Sequence, residues 1–239
     1  MIFLFKNYSI LRITLVTFLA SVVIAYILNP FMKFFERKNI NKFEAIFTQG
    51  NGYLGIRNAL EEHYVGEIRD TFITGTFNKA SKEEVTELPN IADASAVKII
   101  VNGEEFSLTE GKISSYERSL DLTTGESTRI VKWESPKGIK LDLVFRRFVS
   151  LDNEHIFVQK VELLCNQDAN IIIESGIDGS VTNSGAMHFE DIQRRVYDGK
   201  YMEYIAKTTQ SHVKVIQGAV CSLNKEALVI PVMGRRTLA

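Results

Sequence analysis

The stretch Phe43–Asn58, with the sequence FEAIFTQGNGYLGIRN, sets three glycines among aromatic and aliphatic residues. Asn51 and Gly52 both tolerate positive φ and therefore predict a tight turn. The apolar residues on either side predict a strand before the turn and a second strand that ends at Arg57, without a helical pattern. Such glycines let the backbone approach a neighbouring sheet or a ligand closely. A packed turn inside a β domain and a loop that faces a polyol or a phosphate are therefore both open interpretations.

The composition is that of a globular protein without a strong charge bias. The 239 residues suffice for one large domain, or for one domain with an appendage. The chain has 28 basic and 29 acidic residues and a net charge of -1, which argues against a nucleic-acid partner. Cys165 and Cys221 do not make a disulfide framework, so a reducing compartment is expected, although pairing of the two stays open.

The N-terminal region carries a long apolar segment. Residues 13–32 contain no charged side chain and are long enough to cross a bilayer as a helix, while Asn29-Pro30-Phe31 is unlike a signal-peptide cleavage site. Basic residues between Lys33 and Lys42 favour a cytoplasmic location for the domain that follows. We expect a membrane-anchored protein whose β domain is cytoplasmic, or a wholly cytoplasmic one if this segment is an artefact. Residues 25–40 also resemble an early membrane segment of the AI-2E (PerM-type) family of bacterial transport proteins, but no further apolar span follows.

The remainder of the chain predicts a mainly β fold. Asn102-Gly103 and Asp198-Gly199 separate apolar runs and predict hairpins. Apolar and polar residues alternate along Ile139–Phe148, which indicates a strand with one buried face. Three consecutive isoleucines at 171–173 predict a strand buried on both faces. We therefore expect a large antiparallel β-sandwich of two sheets over residues 41–239, preceded by one N-terminal hydrophobic helix and a linker at residues 1–40.

Candidate catalytic groups are difficult to find among the residues. Paired carboxylates such as Glu61-Glu62 could serve glycoside cleavage, but their polar surroundings predict solvated surface positions. The four histidines are scattered without metal-ligand spacing, so no metal site is predicted. Trp133 lies on a predicted strand and is expected in the core rather than as a sugar-stacking platform. The sequence thus predicts no catalytic residue, and it leaves the substrate-binding residues unknown.

Several phrases, taken in order, resemble family 65 of the glycoside hydrolases and phosphorylases, which includes maltose, trehalose and kojibiose phosphorylases. The resemblance covers roughly residues 43–183. It begins with the glycine turn, continues through Leu-Pro-Asn and Arg-x-Leu-Asp phrases, and ends in Ser-Gly-Ile-Asp-Gly. The residues that carry it are Glu44, Phe47, Gly50, Asn51, Gly52, Tyr53, Gly55, Arg57, Pro89, Asn90, Arg118, Asp121, Arg147, Gly176, Asp178 and Gly179.

The resemblance implies a non-catalytic N-terminal β-sandwich domain. In that family a following (α/α)6 barrel supplies a glutamate general acid, and inorganic phosphate attacks an α-glucosyl disaccharide with inversion. We therefore expect a fragment, truncated at its C-terminal end, that is inactive alone, needs no cofactor, and has the catalytic barrel or a dimer mate as its partner. Asn58 replaces the family's usual glycine and is expected to keep the turn by taking a left-handed conformation. The alternative is a membrane-tethered carbohydrate-binding module, which would show an exposed row of aromatic residues.

Overall fold

The computed structural model describes residues 40–224. The chain divides into two compact units, Met1–Phe43 and Glu44–Ala239, and the described residues belong almost entirely to the second. The predicted membrane segment at residues 13–32 lies outside the described residues. Between residues 40 and 224 no helix has the length and apolar character needed to span a bilayer.

The described part of the chain is built from one short helix and thirteen strands. In chain order they are α1 (Ile40–Ile46), β1 (Gln49–Gly50), β2 (Leu54–Ile56), β3 (Thr71–Ile73), β4 (Val97–Val101), β5 (Glu104–Glu105), β6 (Lys112–Leu120), β7 (Ser127–Glu134), β8 (Lys140–Val149), β9 (Phe157–Cys165), β10 (Ile171–Ser175), β11 (Phe189–Tyr197), β12 (Tyr201–Thr208) and β13 (Lys214–Val220).

Every strand pairing in this part of the chain is antiparallel, which confirms the predicted fold class. The strands form four sheets, with the orders β1-β2-β3, β10-β4-β5, β11-β12-β13 and β6-β7-β8-β9. The expectation of two large sheets is therefore too simple. The long connection between β3 and β4 contains no strand and takes part in two isolated bridges, Asn78 with Glu87 and Asp93 with Asp178.

The main core lies between the β4 sheet and the four-stranded sheet β6–β9. Alternate residues of β7 and β8 point into it, as the period of two predicts. Trp133 is 1% exposed, as expected of a core residue, and its Nε1 donates a hydrogen bond to the Glu110 carbonyl at 2.8 Å. The Trp133 ring meets Phe106 edge to face, with centroids 5.5 Å apart.

The two predicted Asx-Gly hairpins are confirmed by their backbone angles. Asn102 and Gly103 have φ values of 48° and 82°, and Asp198 and Gly199 have φ values of 49° and 67°. Positive φ at both central positions matches the twist of the flanking strands. These turns therefore set the register of β4 with β5 and of β11 with β12.

Some local predictions are wrong. Residues Phe43–Ile46 belong to α1 rather than to a strand, so the strand before the glycine turn consists of Gln49 and Gly50 alone. Ile172 and Ile173 are 47% and 43% exposed, because β10 is the edge of a three-stranded sheet and is not covered on both faces. The apolar run at residues 227–232, whose composition also predicts a strand, lies outside the described residues.

Candidate functional site

The glycine turn is fixed to the four-stranded sheet by Asn51. Its Nδ2 donates to the carbonyl oxygens of Ser150 at 2.7 Å and Glu154 at 2.9 Å, both in the β8–β9 connection. Its Oδ1 accepts from the backbone N–H groups of Tyr53 at 3.0 Å and Leu54 at 2.8 Å. All four interactions lie within the domain, so this side chain holds the turn rather than presenting donors to a ligand.

Neighbouring residues of the turn add further contacts with the same end of the sheet. Gln49 Nε2 donates to the Arg147 carbonyl at 3.1 Å and to the Gly125 carbonyl. The Tyr53 ring meets His155 edge to face at 4.3 Å. Buried side chains of β2 and β8 form a small apolar cluster beneath the turn: Leu54, Ile56 and Val149. The packed interpretation of the glycine turn is therefore correct.

Glu44 stands at the start of the same region and is fully buried. Its Oε1 accepts from the Leu60 N–H at 3.0 Å, and its Oε2 accepts from the Tyr64 hydroxyl at 2.9 Å. Arg57 Nε lies 3.8 Å from the same carboxylate. Burial and the hydrogen bond to Glu44 raise the pKa of Tyr64. This carboxylate thus ties α1 to the segment that follows β2.

A buried ion cluster lies next to this segment. Arg129 Nη1 donates to Glu62 Oε1 at 2.8 Å, and its Nη2 lies 2.5 Å from carboxylate oxygens of both Glu61 and Glu62. Arg147 Nε donates to Glu61 Oε1 at 3.1 Å, and its Nη2 donates to the Ala59 carbonyl at 2.7 Å. The prediction that Glu61 and Glu62 are solvated is wrong, since each is 2% exposed.

The electrostatics of the cluster favour the charged forms of Glu61 and Arg129. Burial by itself raises the pKa of Glu61, but the charges of Arg129 and Arg147 outweigh it and lower this pKa to about 2. For Arg129, burial lowers the pKa, and the two glutamates more than compensate and raise it. The four charges therefore balance inside the domain, and the cluster joins β7 and β8 to the segment after β2.

Arg118 and Phe47 extend the cluster toward the surface. The Arg118 guanidinium lies 5.1 Å from the centre of the Phe47 ring and donates to the Asn58 carbonyl. Burial lowers the pKa of Arg118. Asn58 does not adopt the expected left-handed conformation. Its Nδ2 instead donates to Ser127 Oγ at 2.6 Å, so an amide side chain stabilises this position where a glycine could not.

A second group of signature residues surrounds Asn90. Its Oδ1 accepts from the Thr71 N–H at 2.7 Å, its Nδ2 donates to the Arg69 carbonyl at 2.6 Å, and its backbone N–H donates to Asn183 Oδ1 at 2.7 Å. Asn90 is 4% exposed and directly follows Pro89. The Leu-Pro-Asn phrase thus joins β3 to the loop before β11.

The Ser-Gly-Ile-Asp-Gly phrase supports the same region. Asp178 and Asp93 exchange two backbone hydrogen bonds of 2.7 and 2.9 Å. Asp178 Oδ1 also accepts from the N–H and hydroxyl of Ser180 at 2.9 and 2.6 Å. Gly179 lies so close to the Tyr204 ring that a Cβ atom would collide with it. This close approach explains why a glycine is needed there.

Arg69 connects the two groups and is not indicated by any sequence motif. Its Nη2 donates to the Leu60 carbonyl at 2.7 Å, and its Nε donates to Glu67 at 2.9 Å. Its Nη1 reaches Ser95 Oγ at 3.3 Å and Asp93 Oδ2 at 3.5 Å. Only the three-dimensional arrangement identifies this role, because the partners come from separate loops.

Asn78 and His188 form another polar cluster that the sequence does not reveal. Asn78 Nδ2 lies 3.0 Å from His188 Nδ1, and His188 Nε2 lies 2.7 Å from Glu87 Oε1. Since the amide nitrogen is a donor, Nδ1 accepts and Nε2 carries the proton that is donated to Glu87. Asn78 Oδ1 also accepts from the N–H groups of Gln210 and Ser211, each at 3.0 Å. The loop after β3 is thereby joined to the β12–β13 turn.

The other signature residues have local roles. Asp121 begins the β6–β7 turn, where its Oδ1 accepts from the Thr123 N–H at 2.8 Å. Gly50 and Gly55 lie opposite each other in β1 and β2, and Gly176 follows β10. Within residues 40–224 no group of His, Cys, Asp or Glu is arranged to hold a metal ion. The structure thus gathers most of the polar signature residues into two internal networks that stabilise the domain.

These networks and the antiparallel sheets define a β-sandwich domain whose characteristic residues serve its own folding. Residues 32–233 match the family described as "Glycosyl hydrolase family 65, N-terminal domain". The chain therefore belongs to glycosyl hydrolase family 65 and contains the N-terminal domain of that family.

Individual relatives agree with this assignment. Kojibiose phosphorylase of Halothermothrix orenii is 46% identical over 74% of this chain and 22% of its own length. Kojibiose phosphorylase of Escherichia coli is 35% identical over 74% of this chain and 23% of its own length. Alpha,alpha-trehalose phosphorylase of Thermoanaerobacter brockii is 38% identical over 59% of this chain and 20% of its own length. The chain thus spans less than a quarter of the length of these three curated relatives.

A solved structure supports the fold independently. A putative kojibiose phosphorylase from the human microbiome superimposes with a TM-score of 0.70, at 20% identity, over 77% of this chain and 26% of its own. The comparisons do not support the AI-2E resemblance of residues 25–40 or the carbohydrate-binding-module alternative.

Proposed function

We propose that this domain is the non-catalytic support domain of a disaccharide phosphorylase that cleaves an α-glucosyl disaccharide, with kojibiose as the first candidate substrate. The observation that carries the proposal is that polar signature side chains bind partners inside the domain rather than face a ligand. Asn51, Asn90 and Glu44 direct their polar side-chain atoms to partners inside the domain. Inorganic phosphate would be the co-substrate of the assembled enzyme, and the chemistry would come from a catalytic barrel on the remaining part of such a protein.

The end of the four-stranded sheet that contacts the glycine turn supplies a surface that suits docking of that barrel. Ser127 pairs with Arg147, so the β6–β7 and β8–β9 turns lie at the same end of the four-stranded sheet. Leu122 and Leu151 project from these two turns and are 88% and 82% exposed. Two exposed leucines beside a rigidly fixed turn favour contact with a larger apolar partner.

Complementation tests the proposal directly. The chain would be purified and incubated with phosphate and kojibiose, alone and with the separately expressed barrel of the Halothermothrix orenii relative, and glucose 1-phosphate would be assayed. We expect the chain alone to release no glucose 1-phosphate, and the mixture of chain and barrel to release more than the barrel alone. No enhancement by the chain, together with no binding to the barrel, would contradict the proposal.

The docking surface has its own variant and control. Leu122→Asp combined with Leu151→Asp should weaken binding to the barrel at least tenfold, about 1.4 kcal/mol, because two apolar contacts are replaced by charges. Val85→Asp is the matched control, since Val85 is 80% exposed on a different loop. Equal loss of binding in both variants would place the interface elsewhere.

We also propose that residues 13–32 anchor the protein in a membrane, with the β domain in the cytoplasm. The uncharged length of the segment and the basic residues that follow it support this proposal. A fusion of the chain to a C-terminal fluorescent protein should fluoresce and resist extraction from membranes at alkaline pH. Deletion of residues 13–32 should release it, and an equally soluble full-length fusion would contradict anchoring.

A further inference from the structure

Two Asn-Gly pairs occur in the sequence, Asn51-Gly52 and Asn102-Gly103, and both lie at turns. In such a pair the backbone nitrogen of the glycine can attack the side-chain amide of the asparagine, because glycine has no Cβ atom to hinder the approach. The two pairs share this local chemistry. A difference in their reactivity within the folded domain therefore comes from the fold.

The amide of Asn51 is held at both of its polar atoms. Its Nδ2 donates to two backbone carbonyl oxygens, and its Oδ1 accepts from two backbone N–H groups. Rotation of this side chain toward the Gly52 nitrogen has to break these four hydrogen bonds. The fold therefore protects the first Asn-Gly pair.

Asn102 and Gly103 are both exposed and form the two-residue loop between β4 and β5. Strand β5 contains only Glu104 and Glu105, so little strand pairing opposes local opening of the loop. A Cβ atom at Gly103 would meet nothing within 4 Å. Within residues 40–224, neither Asn102 Nδ2 nor the Gly103 N–H has a hydrogen-bond acceptor. The attacking nitrogen and the leaving nitrogen are thus both free to react.

The hydrogen bond that the Asn102 side chain does make favours this attack. Its Oδ1 accepts from the Asn170 N–H at 2.8 Å. A donor at this oxygen stabilises the negative charge that develops on it when Cγ is attacked. The Asn102 N–H donates in turn to the Asn170 carbonyl at 2.8 Å. The two residues extend the pairing of β4 with β10 by one step, and this pairing holds the donor in place.

We propose that Asn102 is a site of spontaneous covalent modification, at which the chain deamidates through a cyclic imide to aspartate and isoaspartate. The Gly103 nitrogen loses its proton to water and forms a bond with Asn102 Cγ. The bond between Cγ and Nδ2 breaks, and Nδ2 leaves as ammonia. Water then adds to one of the two imide carbonyls and opens the ring, so water is the only co-reactant. This inference is independent of the phosphorylase assignment, since it concerns the chemistry of the chain itself.

The isoaspartate product changes the hairpin. Its main chain runs through the former side chain of Asn102, which adds one carbon atom to the loop. A two-residue loop fixes the register of its strands through its own backbone geometry, so the extra atom disturbs the pairing of β4 with β5. A new carboxylate also appears beside Glu104. Modified molecules should therefore be less stable than the parent.

Peptide mapping of the full chain by mass spectrometry tests the proposal, after incubation of the folded protein at mildly alkaline pH. The Asn102 peptide should gain about 1 Da and separate into aspartate and isoaspartate forms. This reaction should be at least about tenfold faster than that of Asn51, because three more hydrogen bonds hold the Asn51 side chain. Asn153, which is exposed but followed by Glu154, is the control for exposure and should remain unmodified.

Unfolding and substitution separate the effect of the fold from that of the sequence. In guanidinium chloride Asn51 and Asn102 should react at similar rates, because each is then simply an asparagine followed by glycine. Gly103→Ala should slow the modification of Asn102 several-fold in guanidinium chloride, where strain in the folded turn has no influence. The proposal is wrong if folding protects Asn102 as strongly as Asn51, if aspartate is the sole product, or if Gly103→Ala leaves the rate unchanged.

Discussion

Arg129 and Glu62 form a bidentate ion pair inside the sandwich, with N–O distances of 2.8 and 2.5 Å and side chains that are each 3% exposed. The Arg129 guanidinium also lies 4.1 Å from the centre of the Phe145 ring. Two parallel hydrogen bonds and a stacked ring hold this group in one orientation. The pair therefore joins β7 to the irregular segment after β2, where no strand pairing could do so.

Removal of the Arg129 charge should destabilise the domain strongly. Arg129→Met leaves two glutamates buried without their main partner, which is expected to cost about 3–5 kcal/mol of unfolding free energy. Urea denaturation followed by Trp133 fluorescence measures this quantity.

An exposed ion pair on the outer side of β7, the strand that carries Arg129, provides the control. Lys132 Nζ lies 3.0 Å from Asp142, and the two side chains are 53% and 49% exposed. Lys132→Met should therefore cost less than about 1 kcal/mol. Similar losses for both variants would mean that burial of the Arg129 pair does not strengthen it.

The pH dependence of stability should report on Glu61. Its pKa is about 2 in the folded protein against an ordinary value of 4.5, since Arg129 and Arg147 outweigh the effect of burial. A lowered carboxyl pKa stabilises the fold above pH 4.5, and this contribution is lost as the pH falls from 4.5 toward 2. The loss should be on the order of 3 kcal/mol.

Glu61→Gln separates this effect from general acid denaturation. The variant should be less stable at pH 7, and its stability should fall less steeply between pH 4.5 and 2.5 than that of the parent. Glu83→Gln, on an exposed loop, should keep the parental slope. An unchanged slope for Glu61→Gln would show that other carboxylates dominate the acid transition.

Local sequence patterns predict those parts of the fold that depend on local geometry. The turns at Asn102-Gly103 and Asp198-Gly199 require positive φ, and the alternation along β8 requires one buried face, so both are visible in the sequence. The strand β6, with the sequence KISSYERSL, carries few apolar residues and is not predicted, because pairing with β7 rather than burial holds it in place.

The polar networks could not be predicted, because their partners are far apart in the chain. Glu61 meets Arg147 across 86 positions, and Asn78 meets His188 across 110. A glutamate pair in a polar segment has the composition of an exposed loop, and only the arrival of two arginines from the sheet makes its burial favourable. Resemblance to a family identified the residues Asn51 and Asn90, but not the contacts that they make.

Asn51 should contribute more stability than an ordinary loop asparagine. Asn51→Ala removes four hydrogen bonds that fix the glycine turn, and an unfolding free energy lower by about 2–3 kcal/mol is expected. Asn153→Ala is the matched control in the connection that Asn51 contacts. The Asn153 Oδ1 atom accepts one exposed hydrogen bond, from the His155 N–H at 3.2 Å. Loss of this bond should lower the unfolding free energy by less than about 1 kcal/mol. A larger loss for Asn153→Ala would argue against the role given to Asn51.

Two glycines of one signature phrase should respond differently to the same substitution. A Cβ atom at Gly179 would collide with the Tyr204 ring, whereas at Gly176 the nearest atom, Met202 Sδ, is 4.0 Å away. Neither glycine has a positive φ, so backbone strain does not distinguish them. Gly179→Ala should therefore destabilise the domain by about 1–3 kcal/mol through displacement of Tyr204, and Gly176→Ala should lie within about 0.5 kcal/mol of the parent. Tyr204→Leu should reduce the cost of Gly179→Ala, because the smaller side chain leaves room for the methyl group. If the cost stays the same in that background, close packing against Tyr204 is not the reason for a glycine at position 179.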